Sequence, residues 1–481
     1  MSPLRSIAVI SIAAGLSLAP AFADGFGEAG RSDDEHQASR RRPDVVLVLT
    51  DQQRADAFGA AGAADLRTPV MDRLAREGVV FTRAFTATPQ CSPSRAALMT
   101  GRYPHRTGVM GNTVDGDGKG PPPAGMSGPL DRSLPTLGRL FAAAGYETAY
   151  FGKWHLGGSP GDYGFQTHDS KVHDPTLASR VVAYLRKRAA PETRPLLLIV
   201  SWLNPHDIYS VLDAPSDARA HAAARLPSNL ADDLRDKPLP QRRYLEEDQG
   251  QPFVGADRTM WRRYRGFYNE LVETVDREIG TVLGAVAPGD VPPITVFSTD
   301  HGDLGGAHGL PYKGPAMYEE LVRIPLVISW PGRIRAARSD ALVSLIDLLP
   351  TLCDLAGVPP PADVDGLSLR PVLTPSPASA PPVREMVFAE YYGKQSWRVP
   401  IRMIRSARWK YVRYLGYGEE LYDLDADPGE LRNLAGEASA AAERARLARE
   451  LDEWIRRTKD PFPELTTTDR SGSVVTPARG R

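Results

Sequence analysis

Four short apolar runs, each emptying into a cluster of polar side chains, constrain this chain more than any other feature. They are residues 45–49 (Val-Val-Leu-Val-Leu), 148–151, 196–202 and 294–297. Runs this short, rich in β-branched residues and without alternation, read as strands buried on both faces. That requires a parallel or mixed sheet covered by helices. The segments between them carry helix punctuation. Thr68-Pro69 opens a helix that Gly78 closes, Ser92-Pro93 opens one that Gly101 closes, and Pro135 starts one ending at Gly145. Proline in the first turn and glycine past the last is the asymmetry helices favour. A longer helix is expected over 260–285, with Tyr264, Tyr268, Leu271, Val275 and Ile279 on its buried stripe. Alternating strands and helices predict a doubly wound α/β domain with a mostly parallel sheet flanked by helices.

The pattern changes after residues 374–383, a Pro/Ser-rich stretch that reads as a linker. Short strands are expected at 386–392, 401–404, 409–414 and 421–424, then a helix from about 439 to 457. This predicts a smaller α+β domain with an antiparallel sheet over 384–465, and a disordered tail over 466–481. At the other end, Arg5, the apolar stretch 7–18 and Ala21-Phe22-Ala23 fit a signal peptide over 1–23. A polar, disordered segment over 24–42 follows, and the large domain spans 43–373. The expectation is a periplasmic or secreted protein with no membrane span after signal cleavage. The 481 residues carry 58 basic and 59 acidic side chains, which gives no nucleic-acid signature.

Each strand run ends in chemistry-bearing residues. The clusters are Asp51-Gln52, Lys153-Trp154-His155, Asn204-Pro205-His206-Asp207 and Asp300-His301-Gly302-Asp303. Any one of them alone is most simply a cap, a turn or a surface lysine. In open α/β sheets, however, ligands bind beyond the carboxyl ends of parallel strands. If the four strands run parallel, all four clusters converge on one rim.

The chain has two cysteines. In an oxidising compartment a Cys91–Cys353 disulfide is the simplest account of them. Cys353 lies in an amphipathic helical pattern over 345–356 closed by Gly357, where it reads as a small buried hydrophobe. Cys91 opens Cys91-Ser92-Pro93-Ser94-Arg95, followed by Thr100-Gly101-Arg102. This resembles the signature Cys-x-Pro-Ser-Arg of the sulfatase family, within the alkaline-phosphatase-like superfamily. The resemblance runs from about Pro43 to Leu434. It includes Asp51-Gln52 after the first strand, Gly152-Lys153-Trp154-His155, Pro205-His206, Asp300-His301-Gly302-Asp303, and His308-Gly309-Leu310-Pro311-Tyr312-Lys313.

The resemblance implies a reaction and a set of roles. Cys91 would be oxidised to Cα-formylglycine by a separate maturation enzyme, and so would not pair with Cys353. The hydrated aldehyde is a geminal diol. One hydroxyl attacks sulfur and releases the substrate alcohol; the other loses its proton, so that the aldehyde re-forms and sulfate departs. Asp51, Gln52, Asp300 and His301 would bind a divalent metal together with an oxygen of the residue made from Cys91. Calcium suits an oxygen-rich site, and the His301 nitrogen admits manganese or zinc. Arg95 and Lys153 would steady the formylglycine, and Lys153 and Lys313 would stabilise charge on the sulfuryl oxygens. His155 would take the proton that frees the aldehyde, and His206 would protonate the leaving oxygen. The implied substrate is a sulfate ester or sulfamate on a small molecule or glycan.

One departure opens a second reading. Many family members carry Asp-Asp where this chain has Asp51-Gln52, and the set Asp, Gln, Asp, His also resembles phosphonate monoester hydrolases. That alternative is a phosphonate or phosphodiester hydrolase with the same nucleophile. A reading of a different class, a glycan-binding module with Cys91 left as a thiol, is disfavoured by the intact residue set. Substrate selection is expected in the loops 116–129 and 207–252 and on the smaller domain, where Tyr209, Trp261 and Trp397 could stack on a sugar ring.

Overall fold

Burial on both faces makes the strand Val45–Asp51 the centre of the molecule. Val45, Leu47 and Leu49 enter one apolar core, and Val46 and Val48 enter another on the opposite side. This is the two-residue period of a strand that is covered above and below. The computed structural model describes residues 42–114, 122, 125–188, 194–214, 224–286, 291–374, 383–394, 397–469 and 471–475. The signal peptide, nearly all of the polar segment after it, and residues 375–382 of the linker lie outside the described residues.

Nine strands form the large sheet: β1 (Val45–Asp51), β2 (Val79–Phe85), β3 (Glu147–Gly152), β4 (Thr167–Asp169), β5 (Leu196–Pro205), β6 (Ile294–Thr299), β7 (Arg323–Ile324), β8 (Leu326–Ser329) and β9 (Ala337–Ser344). Their order is β4-β3-β5-β1-β6-β8-β2-β7, with β9 paired to β2. All four expected strands are present, and they are adjacent and parallel as β3-β5-β1-β6. The sheet is mixed because β8 runs antiparallel to β6, and β2 antiparallel to β8. The strand β2, Val-Val-Phe-Thr-Arg-Ala-Phe, was not anticipated, and neither were β4 and β7 to β9.

The helices follow their punctuation. They include Pro69–Glu77, Cys91–Thr100, Leu137–Ala143, Asp174–Arg188, Arg258–Ala285 and Leu348–Ala356. Gly101 takes the left-handed cap expected of it, at φ 67°, and its N–H bonds Ala97 O. Gly78 instead leaves its helix extended, at φ −135°. A Cβ there would sit 2.5 Å from Ile328 O, so close approach to β8, not a left-handed turn, explains this glycine. The long helix is capped by Asp257, which accepts from Thr259 N and Met260 N at 2.9 and 2.8 Å. It buries Trp261, Tyr264, Tyr268, Val272, Val275 and Ile279. The stripe thus passes through Val272, and Leu271 is only partly covered.

The second sheet is antiparallel in plain sequence order: β10 (Val387–Lys394), β11 (Trp397–Arg405), β12 (Trp409–Tyr414) and β13 (Gly418–Asp423). The helix Ala441–Thr458 packs on it through Leu447, Leu451, Trp454 and Ile455. The expected disordered tail is held against this sheet as far as it is described. Thr468 N–H donates to Arg398 O at 3.0 Å, and Thr468 bridges Val474. Among the described residues no helix is long and apolar enough to cross a membrane.

Candidate active site

Asp51 ends β1, and Asp300 and His301 follow β6. Lys153 and His155 follow β3, and His206 follows β5. The rim beyond these parallel strands therefore gathers the four polar clusters. Cys91 reaches the same rim as the first residue of the wholly buried helix Cys91–Thr100. A helix N-terminus directs backbone N–H groups and positive potential at whatever sits there. The turns that deliver these residues are tight. Gly152 has φ 90°, and a Cβ on it would lie 2.0 Å from Ser201 O. A Cβ on Gly302 would lie 1.9 Å from Glu320 O. Gln52, His155, His308 and Tyr312 hold positive φ between 54° and 67°, and each borders the site or the loop that ends at Lys313. Left-handed backbone costs roughly 1–2 kcal/mol per non-glycine residue, so the packed surroundings must hold these turns.

Cations and acids surround the Cys91 sulfur. Lys313 Nζ is 2.9 Å from it, His301 Nε2 3.3 Å, Lys153 Nζ 3.6 Å and Asp51 Oδ1 3.7 Å. His155 and His206 are also close enough to the thiol to act on its ionisation or to feel it. Burial opposes ionisation, but Lys153, Lys313 and His301 outweigh it and hold the thiol well below its ordinary range. Burial, then Lys153, push His206 down to about 4, against the pull of Asp51.

Arg95 ties the acids together. Its Nη2 donates to Asp51 Oδ2 at 2.8 Å and its Nε to Asp300 Oδ2 at 2.9 Å. Its Nη1 is held by Ser201 Oγ at 2.7 Å and Lys153 O at 2.8 Å. Lys153 Nζ adds an ion pair to Asp51 Oδ2 at 2.6 Å. Arg95, Asp51 and Asp300 are inaccessible and Lys153 is mostly covered, so their charges must be met inside the protein. Burial and Cys91 raise Asp51, but Lys153, His206 and Arg95 prevail and keep it well below the carboxylate range. Burial and the Asp51 charge push Asp300 up to about 6.

This donor set fits a divalent cation. One ligand atom each from Asp51, Cys91, Asp300 and His301 lie within 4.8 Å of one another. His301 Nδ1 faces Gly302 O at 2.9 Å, which leaves Nε2 as the lone-pair nitrogen facing the cluster. Gln52 Oε1 is buried with no hydrogen-bond partner, so it is free to serve as a ligand atom. The reason is visible in the other half of the amide. Gln52 Nε2 donates to Asp303 Oδ2 at 2.7 Å, so the oxygen points the other way. Asp303 is fixed in turn by the Tyr264 hydroxyl, 3.0 Å from both carboxylate oxygens.

Every residue given a catalytic or metal-binding role in the sequence is thus brought together with Cys91 or its partners. Several side chains that position them were not legible. Asp303 was visible only as the end of Asp-His-Gly-Asp. Ser201 carried no signal at all, and Ser94, whose Oγ donates to Asp300 O at 2.5 Å, was legible only as the serine of the Cys-x-Pro-Ser-Arg motif, without this contact. Asn204 belongs to the local turn, accepting from Asp207 N at 3.1 Å. Of the three aromatic residues considered for sugar stacking, Trp261 and Trp397 are each 3% exposed and belong to the cores. Trp261 stacks on Phe253. Tyr209 is half-buried beside His206 and stacks on Tyr312 at 4.2 Å. Both cysteines are free, and burial pushes Cys353 up to about 12.

Comparison with known proteins agrees with this geometry. The Sulfatase family profile matches residues 43–358, and the profile "N-sulphoglucosamine sulphohydrolase, C-terminal" matches residues 306–457. A Delta 4,5-hexuronate-2-O-sulfatase of Bacteroides thetaiotaomicron is 30% identical over 457 residues, covering 89% of this chain and 92% of that protein. The solved structure of a 2-O GAG sulfatase superposes with a TM-score of 0.79 at 28% identity, covering 91% of this chain and 99% of that one. The phosphonate monoester hydrolase of Agrobacterium radiobacter shares the fold, with a TM-score of 0.65 at 23% identity, covering 90% of this chain and 99% of that one. A buried cysteine at a helix N-terminus, ringed by two lysines, three histidines and a cation-ready cluster, and a family match over most of the chain lead to one statement: this chain belongs to the sulfatase family and is a hydrolase of sulfate esters.

Proposed function

We propose that this enzyme removes sulfate from a carbohydrate through a formylglycine made from Cys91, beside a divalent metal held by Asp51, Gln52, Asp300 and His301. The observation that carries the proposal is the position of Cys91 Sγ, within 3.7 Å of Asp51, His301, Lys153 and Lys313 at once. A structural cysteine does not need four ionisable neighbours.

The residues divide the work by position. Lys153 and Lys313 approach the nucleophile and stand where charge on the sulfuryl oxygens builds up. Arg95 holds Asp51 and Asp300 in place as ligands and favours their ionised forms. Asp303 turns the Gln52 amide so that its oxygen faces the cluster. His155 is the base beside the nucleophile, and His206 is the hydrogen-bond donor to the leaving oxygen. The substrate's negative charge, entering between Lys153, Lys313 and His206, opposes the push that lowers His206. When bound, the metal supplies Lewis-acid polarisation, and calcium fits the oxygen-rich donors, with manganese or zinc as candidates. The formylglycine supplies a hydrated aldehyde whose second hydroxyl allows sulfate to leave without hydrolysis of a stable ester.

The carbohydrate assignment draws on the hexuronate-2-O-sulfatase and the 2-O GAG sulfatase, which this chain resembles over most of its length. The signal-like stretch over 1–23 supports a periplasmic or secreted location. Gln52 and His301 in place of all-acid ligands favour one rival reading, a phosphonate or phosphodiester hydrolase.

The test begins with the mass of the Cys91 peptide, to establish formylglycine. It continues with kcat/KM for a nitrophenyl sulfate and a nitrophenyl phosphonate ester, which share a leaving group. Faster turnover of the sulfate supports the proposal, and a panel of sulfated oligosaccharides then ranks substrates. Faster turnover of the phosphonate would transfer the enzyme to phosphorus chemistry.

A further inference from the structure

One cation at the site comes from outside the large sheet. Lys394 ends β10, and its side chain leaves the small sheet to reach the loop carrying Lys313. Its Nζ donates to Lys313 O at 3.1 Å, to the Tyr209 hydroxyl at 3.3 Å and to Gln249 Oε1. It also lies 5.6 Å from the Tyr209 ring centre and 5.8 Å from that of Tyr244. An ammonium has three N–H donors, and three acceptors use them all, so none remains for a substrate. Burial and the Lys313 charge push this amine down to about 7, with Asp248 opposing. The three acceptors and two aromatic faces favour the charged form.

The same hairpin holds the other side of the site. Gly393 O accepts from Gln90 Nε2 at 2.8 Å, and Gln90 immediately precedes Cys91. Glu390 N donates to Ala87 O at 2.8 Å. Consecutive residues of β10 therefore hold the residue before the nucleophile and the backbone of the lysine whose Nζ lies 2.9 Å from its sulfur. A lysine side chain pivots from its Cα, so fixing the Lys313 peptide fixes the origin of that reach.

We propose that Lys394 is a positioning residue through which the small domain fixes Lys313 against the sulfuryl group. The inference rests on the sulfatase reading of Cys91 and Lys313 given above. Lys394 acts through Lys313, with no contact to the reacting atoms.

The test is a double-mutant cycle in full-length, matured enzyme, with formylglycine occupancy matched by mass. K394M, K313A and the double variant are compared with wild type for kcat and KM on a nitrophenyl sulfate. K394M should lower kcat by about 10- to 100-fold, the cost of a misplaced catalytic group. KM should change by less than about threefold, and the loss should disappear in the K313A background. If K394M does not fold, K394Q, which keeps an amide donor, is read in the same cycle. An equal loss in the K313A background, a loss confined to KM, or unchanged activity each overturns the inference and leaves the sulfatase reading intact. K313A as active as wild type would overturn the role of Lys313 itself, and this inference with it.

Discussion

Single residues decide the chemistry. Cys91 is buried, yet its helix is tied to the rim by Ser94 and Arg95, through Asp300 and Asp51. Cys91→Ala should therefore abolish sulfate-ester turnover while the urea midpoint of unfolding stays close to wild type; a large fall in that midpoint would make Cys91 a structural residue. Asp303 touches no expected reacting atom but directs Gln52. Asp303→Ala frees that amide and the Tyr264 hydroxyl. Loss of a group that orients a metal ligand typically weakens binding by about 10- to 100-fold. A calcium titration followed by calorimetry should show that drop, and unchanged affinity would remove Gln52 from the ligand set.

At the scale of elements, the helices show how far local rules reach. Arg258–Ala285 is capped by its own neighbour, Asp257, and could be bounded from sequence to within two residues. Pro69–Glu77 is different. Thr68 makes no side-chain cap, and the first turn is closed by Asp276 of the long helix, which accepts from Val70 N at 3.1 Å and Met71 N at 2.8 Å. A buried carboxylate at a helix N-terminus also meets the positive end of its dipole. Asp276→Ala should cost about 1–3 kcal/mol in urea unfolding, the penalty for orphaned buried donors. A cost near zero would mean that water replaces the carboxylate. The missed strand β2 fails for a related reason. Thr82 and Arg83 are half-buried beside apolar neighbours, so its run lacks the uniform burial that marks β1. Its place is fixed by partners from residues 323–344 that no local window contains.

At the scale of the molecule, a buried polar contact joins the large domain to the small sheet: His105 Nδ1, on the short helix Pro104–Thr107, lies 2.6 Å from Glu390 Oε1 of β10. Within the small domain, Arg402 of β11 binds both Asp460 oxygens. Burial works against a charged His105, but Glu390 outweighs it and raises its pKa above the ordinary value. A raised histidine stabilises the folded state below its unfolded pKa, and that contribution fades as pH rises through the folded value. His105→Gln should therefore lose more stability at pH 6 than at pH 9, read as the gap in urea midpoint from wild type; equal gaps would mean that His105 is neutral when folded. Sequence alone determined the parts whose information is local: the central parallel strands from their uninterrupted apolar runs, the helix ends from Pro and Gly, and the candidate site residues from motifs a few positions long. Tertiary structure decided what depends on distant partners. Asp303 orients Gln52 only because the loop after β6 folds back beside β1, and Lys394 reaches Lys313 only because a second sheet docks at the rim. Hydrogen bonds between residues 81 or 251 positions apart leave no periodic trace in either segment, so only the packed chain reveals them.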